Sequence, residues 1–224
     1  MRKFNLIDEK WIPVRFLDGK RDELGISDTL LRSRDIAAIE DPSPLVVAAL
    51  HRFLLAVLYR ALEGPTDPAQ AKELFRHGLP QEKITAYLEN WNEKGRFWLI
   101  DDKYPFGQVP SVPASEEEPW TKLTAEHNAT SSKVLFDHTD TTALTPISFA
   151  SAARWIISTL NFSVRGGRGY RPSPSADGII CIPVGQDLHQ TLLCSLIPYP
   201  NKTLVASDKP IWEREPLSYP EFKA

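Results

Sequence analysis

Cysteine is nearly absent from this chain, which has two, Cys181 and Cys194, in 224 residues. Two are too few for a disulfide scaffold or for a zinc site built from thiolates. Because Cys181 lies inside an apolar run, we expect it to be a small buried side chain. The chain also has no Walker A loop, HExxH, GxSxG or EF-hand pattern. These absences exclude the enzyme and metal-binding classes that those patterns mark.

A long uninterrupted hydrophobic run is also missing. The most apolar segment, residues 45–62, is interrupted by His51, Arg52 and Arg60, so we do not interpret it as a membrane span. The first eight residues lack the apolar centre of a signal peptide. We therefore expect a cytoplasmic protein with no membrane partner. The pair Arg52 and Arg60 is interpreted as a solvated or salt-bridged strip.

Proline, in contrast, is abundant, with 19 residues, about 8.5% against a typical level of about 5%. This predicts long, shaped loops between few regular elements. Short strands are expected over residues 4–7 and 11–17, and Asp18-Gly19 is typical of a hairpin turn. Ser43-Pro44 predicts the start of a buried central helix that ends at Gly64. The predicted fold class is α+β, with short N-terminal strands, buried central helices and long Pro-rich loops.

Further elements follow along the chain. The spacing of Ile84, Leu88 and Trp91 predicts a helix that ends near residue 95, after a shorter one that starts at residues 67–68. Regular signals fade over residues 107–145, a length that is typical of functional or disordered loops. A helix is expected from residues 145–146 to about 161, a short buried strand over 179–184, and a helix from Asp187 to Ile197. We interpret four tryptophans as core anchors: Trp91, Trp98, Trp120 and Trp155.

Acidic residues and lysine are absent from residues 141–176, a stretch of thirty-six residues that carries four arginines in a chain of net charge −3. The arginines are Arg154, Arg165, Arg168 and Arg171, and the last three surround Gly166, Gly167 and Gly169. Glycine lets a backbone approach a partner closely, and arginine offers planar donors suited to phosphate. The pattern indicates an anion-facing loop, and nucleic acid is its expected partner. The alternative is a flexible, solvated connection.

The central loop has two interpretations. His127, Asn128, Asp137 and His138 could ligate a metal or form an acid/base relay, although their spacing fixes no geometry. Alternatively, residues 133–139 place Phe136 beside a lysine and polar donors, a combination that can stack on bases or wedge into a groove. Phe136 could equally pin the loop to the core. The enzyme alternative is a metal-dependent hydrolase that uses His127, Asp137 and His138.

Ordered segments over nearly the whole chain resemble the large subunit, the CasA family, of the type I-E CRISPR surveillance complex Cascade. The segments are residues 4–14, the buried helix from Leu45, residues 104–108, the stretch from Leu123 through Asn128 to residues 135–138, and the helix that leads into the glycine loop. The order of the set, rather than any single motif, carries the resemblance. It implies that residues 1–224 are the N-terminal domain of the subunit, truncated before the family's C-terminal helical bundle.

The resemblance implies a non-catalytic, DNA-binding role in antiviral defense, with no cofactor. Such a subunit recognises the protospacer-adjacent motif (PAM) on target double-stranded DNA, aids unwinding and recruits the nuclease-helicase. Its expected partners are the other Cascade subunits and the crRNA.

Carried over by residue, the family's long loop, which meets the PAM region and the crRNA 5′ end, corresponds to Phe136, Asp137 and His138. Its glycine loop, which approaches the minor groove, corresponds to Gly166, Gly167 and Gly169, with Arg168 interrupting the glycines. Independently of the resemblance, a narrow groove with a degenerate code favours a bare backbone. Phosphate contacts are expected from three arginines, which position the DNA without reading its sequence: Arg165, Arg168 and Arg171.

Overall fold

The computed structural model describes residues 1–113, 119–124, 146–163, 173, 175–176, 178–199 and 207–217. This part of the chain has the predicted α+β architecture. The strands are β1 (Lys3–Asn5), β2 (Ile12–Phe16), β3 (Arg21–Leu24), β4 (Ile36–Ile39) and β5 (Trp98–Ile100). The helices are α1 (Ile26–Leu31), α2 (Pro44–Leu62), α3 (Pro68–His77), α4 (Gln81–Glu93), α5 (Phe149–Phe162) and α6 (Leu188–Ser195), and 3₁₀ turns cover Trp120–Leu123 and Ile211–Glu213.

The strands form two small antiparallel sheets. β1 pairs with β5, and β2 lies between β3 and β4. The hairpin from β2 to β3 turns at Gly19, whose φ of +86° is a conformation that side-chain-bearing residues rarely adopt. The N–H of Gly19 donates to the carbonyl of Phe16 at 3.0 Å. The hairpin predicted from Asp18-Gly19 is therefore confirmed.

Helix α2 is the centre of the fold, as its all-round apolar sequence predicts. The Ser43 hydroxyl accepts the N–H of Val46 at 3.4 Å, and Pro44 occupies the first turn. The helix ends where Glu63 adopts a left-handed conformation, one residue before Gly64. By length and composition α2 could cross a membrane, but 61% of its most apolar window is buried within the fold. It is the core helix, packed against α4 and α5.

An aromatic cluster fills the core beside α2. Its members are Phe53 on α2, Phe97, Phe106 and Trp212, with ring centroids 5.5–6.1 Å apart. Edge-to-face and stacked pairs at these distances add about 0.5–1.5 kcal/mol each beyond the burial of their area. Trp212 thereby anchors the Ile211–Glu213 turn, from near the end of the described chain, in the middle of the domain.

The two buried tryptophans are not among the four predicted core anchors. Trp11 and Trp212 are 0% and 5% exposed, and the indole N–H of Trp11 donates to the carbonyl of Leu6 at 2.8 Å. This hydrogen bond lets an indole be buried completely, because its polar group keeps a partner. The four predicted anchors are all half-buried: Trp91, Trp98, Trp120 and Trp155. Of these, Trp91 and Trp155 pack against the edge of the core.

The predicted buried strand over residues 179–184 is wrong. This segment has no regular structure, and Ile179 and Val184 are 94% and 83% exposed. Cys181, expected to be buried, is exposed as well. None of the described strands pairs with the segment, and a short apolar run does not by itself supply a partner strand.

Capping side chains determine the residues at which two of the helices begin. The helix expected from residues 145–146 begins at Phe149, because the Ser148 hydroxyl accepts the N–H of Ser151 at 3.1 Å. Asp187 caps α6 as predicted, accepting the N–H of Gln190 at 2.7 Å. The helix predicted around residues 84–91 is confirmed as α4.

Two buried histidines predict a mild acid sensitivity. His51 and His189 are 7% and 2% exposed, and burial lowers the pKa of each below 6.5. The unfolded chain takes up these protons near pH 6.5, whereas the folded chain does not. The contribution of the two neutral histidines to stability is therefore fully present above that pH and decreases as the pH falls below it. We expect the free energy of unfolding, measured with urea, to be lower at pH 5.5 than at pH 7.5.

His51→Gln should reduce this decline, because glutamine has no group that titrates in this range. Carboxylates contribute little in this window, since their ordinary pKa values lie near 4. A free energy of unfolding that does not change between the two pH values would contradict the assignment.

Candidate nucleic-acid interface

The predicted nucleic-acid-binding residues lie outside the described part of the chain. They are Phe136, Asp137, His138, Arg165, Gly166, Gly167, Arg168, Gly169 and Arg171. His127 and Asn128, from the metal or relay hypothesis, lie outside it too. The structure does describe the chain on both sides of each segment, and these flanks determine where the segments leave the fold and where they return to it.

The two ends of the glycine and arginine segment meet at one point. Helix α5 ends at Phe162, and Ser163 follows it. The N–H of Ser173 donates to the carbonyl of Ser163 at 2.8 Å, and the N–H of Ser175 donates to the carbonyl of Asn161 at 3.2 Å. The described chain therefore leaves the fold after Ser163 and returns to it at Ser173, both at the C-terminal end of α5. We call residues 164–172 the arginine–glycine loop.

Thr159, in the last turn of α5, joins this attachment point to the central loop. Its hydroxyl donates to the carbonyl of Leu123 at 2.9 Å, and residues 125–145 follow directly after Thr124. Its carbonyl accepts the N–H of Ser163 at 2.9 Å and the hydroxyl of Ser173 at 3.2 Å. We call these contacts the Thr159 junction. They bring together two segments that are separated by about forty residues in the sequence.

The other end of the central loop returns at the opposite end of the same helix, since Pro146 lies two residues before the Ser148 cap. Helix α5 has fourteen residues and is therefore about 20 Å long. Residues 125–145 thus have to connect the C-terminal end of α5 to its N-terminal end. The helix is the common support of both predicted contact segments.

The electrostatics at this end of α5 favour cations. Unpaired carbonyls at a helix C-terminus carry partial negative charge, which stabilises nearby positive side chains. Helix α5 contains no acidic residue and no lysine. The positive charge of the three arginines that follow α5 in the sequence is therefore compatible with the partial negative charge at the end of this helix.

Arg154, the fourth arginine of the acid-free stretch, has a structural role. Its guanidinium lies 2.6 Å from the Glu23 carboxylate and 3.4 Å from that of Asp41. It also donates to the carbonyl of Trp11 at 2.9 Å. These bonds attach α5 to the three-stranded sheet. Sequence reasoning could not distinguish Arg154 from the loop arginines, because its partners are more than one hundred residues away.

Arg60 is also neutralised within the fold. It forms two hydrogen bonds with the Glu213 carboxylate, at 2.8 and 2.6 Å, which confirms the salt-bridged alternative for this residue. Glu213 is 5% exposed and also accepts the Tyr87 hydroxyl at 2.6 Å. Burial, followed by the neighbouring Glu213 carboxylate, raises the pKa of Tyr87 well above 10, so the phenol stays a hydrogen-bond donor.

No cluster of three or more potential metal ligands occurs among the described residues. The described histidines offer no such cluster: His51 lies 2.8 Å from the carbonyl of Val47, and His77 pairs with Glu73 on the surface. The three residues of the hydrolase hypothesis lie outside the described ranges. Nothing in those ranges favours it.

Comparison with known proteins places the chain in a family. The sequence model for "CRISPR-associated protein Cse1" matches residues 5–222. A CRISPR-associated protein CasA/Cse1 from Thermus thermophilus is 42% identical over 97% of this chain and 43% of its own length. The chain therefore belongs to the Cse1 family, which confirms the resemblance found in the sequence.

Solved structures agree with this assignment. The structure of Thermus thermophilus CasA (Cse1) has a TM-score of 0.82 and 39% identity, over 97% of this chain and 44% of that one. A chain of a "CRISPR RNA-guided surveillance complex" has a TM-score of 0.78 and 25% identity, over 96% of this chain and 47% of that one. The chain spans less than half the length of these relatives.

Proposed function

We propose that this chain is the DNA-recognition portion of a Cse1 subunit in a CRISPR RNA-guided surveillance complex of the prokaryotic cytoplasm. It acts by geometry and charge, without catalysis. Its target is double-stranded DNA that carries a PAM, and its other partners are the crRNA, the remaining subunits of the complex and the nuclease-helicase that the complex recruits. Family membership and the surveillance-complex neighbour support this proposal.

The observation that carries the proposal furthest is the Thr159 junction. A PAM reader needs a bare main chain against the minor groove together with a second segment that contacts the adjoining nucleic acid. The arginine–glycine loop and the start of the central loop both leave the fold at the last turn of α5. A single support of this kind keeps the attachment points of the two segments in a fixed relation, which lowers the entropic cost of binding.

In this arrangement, the three loop arginines contact phosphates and Gly166 and Gly167 face the minor groove. Phe136, Asp137 and His138 meet the PAM region and the crRNA 5′ end. The division of labour follows the general rule that phosphate contacts position a protein and groove contacts specify the sequence. In this proposal residues 1–224 form the N-terminal domain of the subunit, and that boundary stays a prediction.

The test is the salt dependence of DNA binding by the reconstituted complex. We expect Arg165→Ala and Arg168→Ala each to weaken binding and to lower the slope of log K against log salt by about 0.9, the release of one counterion. The matched control is Arg76→Ala, which removes an exposed arginine from the last turn of α3. Binding is measured by fluorescence anisotropy on one duplex at several salt concentrations.

An unchanged affinity and slope in both loop variants would contradict the proposal. A complex whose DNA binding does not require this subunit would support a scaffold role instead, in which the arginines bind an acidic protein face.

A further inference from the structure

Arg52 differs from the other arginine of the α2 pair. Arg60 is held by the buried Glu213 carboxylate, as described above. Arg52 lies two turns earlier on the same helix, is exposed, and forms no ion pair within the part of the chain that the structure describes. An exposed cation at this position is available to a partner that carries negative charge.

Asn161 holds the Arg52 side chain beside the Thr159 junction. The Arg52 Nε donates to the Asn161 Oδ1 at 2.9 Å. The Asn161 amide is itself fixed, because its Nδ2 donates to the carbonyl of Ile157 at 2.9 Å. The Asn161 carbonyl accepts the Ser175 N–H that helps to close the arginine–glycine loop. Asn161 therefore contacts both the Arg52 side chain and the point at which that loop is attached.

The geometry leaves most of the guanidinium available for a ligand. Arginine has five N–H donors, and the bond to Asn161 uses one, so four remain on the two terminal nitrogens. Two parallel donors match two oxygens of a phosphate. Because Nε is already held in place, less side-chain entropy is lost when the terminal nitrogens bind.

The surface beside Arg52 is concave. Arg52 lies at a depression of about 580 Å³ between α2, the end of α5 and the residues around Ile211. Among the residues that line this depression, Asp208 is the one carboxylate. Asp208 accepts the Tyr199 hydroxyl at 2.6 Å. Among the described residues Asp208 forms no ion pair with Arg52, so the Arg52 guanidinium is left to interact with a ligand.

We propose that Arg52 binds a backbone phosphate of the target DNA next to the arginine–glycine loop, so that the interface extends from the loop onto α2. The inference rests on the proposed function. It adds a contact that lies outside both loops and belongs to the rigid core helix. In this arrangement Asn161 is a positioning residue, which acts on the DNA only through Arg52.

The experiment uses the reconstituted complex and the same duplex. Arg52→Gln removes the charge, and we expect affinity at 0.1 M salt to fall roughly 5- to 10-fold and the salt slope to fall by about 0.9. Arg52→Lys keeps the charge and should retain the slope with a smaller loss of affinity, because the planar fork is lost. Asn161→Ala should also retain the slope while weakening binding, a result that a purely structural role for Arg52 would not give.

Two comparisons of the variants distinguish a failure of the Arg52 contact from a failure of the proposed function. If Arg52→Gln behaves like the Arg76→Ala control while Arg165→Ala and Arg168→Ala lower the slope, the Arg52 contact is refuted and the proposed function stands. If Arg52→Gln, Arg165→Ala and Arg168→Ala all leave the slope unchanged, the proposed function itself fails. Equal melting temperatures for Arg52→Gln and Arg52→Lys establish that a difference in their slopes reflects binding rather than folding.

Discussion

Gly166→Phe is expected to remove most of the preference of the assembled complex for duplexes that carry a PAM over duplexes that lack one. The minor groove is only about 6 Å wide, so a main chain can approach its floor only where no side chain intervenes. A mismatched base pair typically costs about 1–3 kcal/mol in such sites, so the ratio of affinities should fall roughly 5- to 150-fold. The ratio is measured by competition between labelled and unlabelled duplexes.

The matched control is Gly178→Phe, because a side chain added at this described glycine meets no atom within 4 Å. We expect it to leave the ratio unchanged. If Gly166→Phe also leaves the ratio unchanged, the minor-groove assignment of the arginine–glycine loop is wrong, even if the loop arginines still contact phosphates.

Glu213→Ala is expected to lower the free energy of unfolding by about 3–5 kcal/mol. The substitution leaves the half-buried Arg60 guanidinium without its carboxylate, and losing one partner of a buried ion pair typically costs this much. It also removes the acceptor of the Tyr87 hydroxyl, next to the indole of Trp212. Urea denaturation at pH 7.5 measures the change.

Glu40→Ala is the control for this prediction, since it removes a carboxylate that pairs with Arg15 and Arg21 on the surface. Solvent screens exposed pairs, which contribute little to stability, so the loss should be much smaller. Similar losses in the two variants would contradict the view that the Arg60–Glu213 pair fixes the Ile211–Glu213 turn in the core.

Features encoded by neighbouring residues were predictable from the sequence. Ser43-Pro44, Asp187 and Asp18-Gly19 each act within a few residues, so the start of α2, the cap of α6 and the first hairpin were predicted correctly. The apolar character of α2 likewise predicted its central position, because a helix that is apolar all round has to be surrounded by protein.

Features that depend on distant contacts were not predictable. The run at residues 179–184 resembles a buried strand, but a strand also needs a neighbour, and no described strand pairs with it. The sequence likewise could not show that Arg154 would bind Glu23 or that Trp212 would enter the core. Both depend on contacts between residues more than one hundred positions apart.

The candidate interface likewise has features that could be predicted from the sequence and one that depends on a distant contact. Composition indicated the arginine–glycine loop and the central loop separately, and the family resemblance connected them by function. Their physical connection at Thr159 depends on one side-chain hydrogen bond to Leu123, thirty-six residues earlier. Threonine in the last turn of a helix is too common to have indicated that contact beforehand.

The most direct measurement of the central claim compares PAM-bearing and PAM-free duplexes for binding to the complex assembled with and without this subunit, in a single buffer of stated salt concentration. We predict a preference for the PAM-bearing duplex that is present with the subunit and lost without it. Equal preference in the two assemblies would contradict the proposed function.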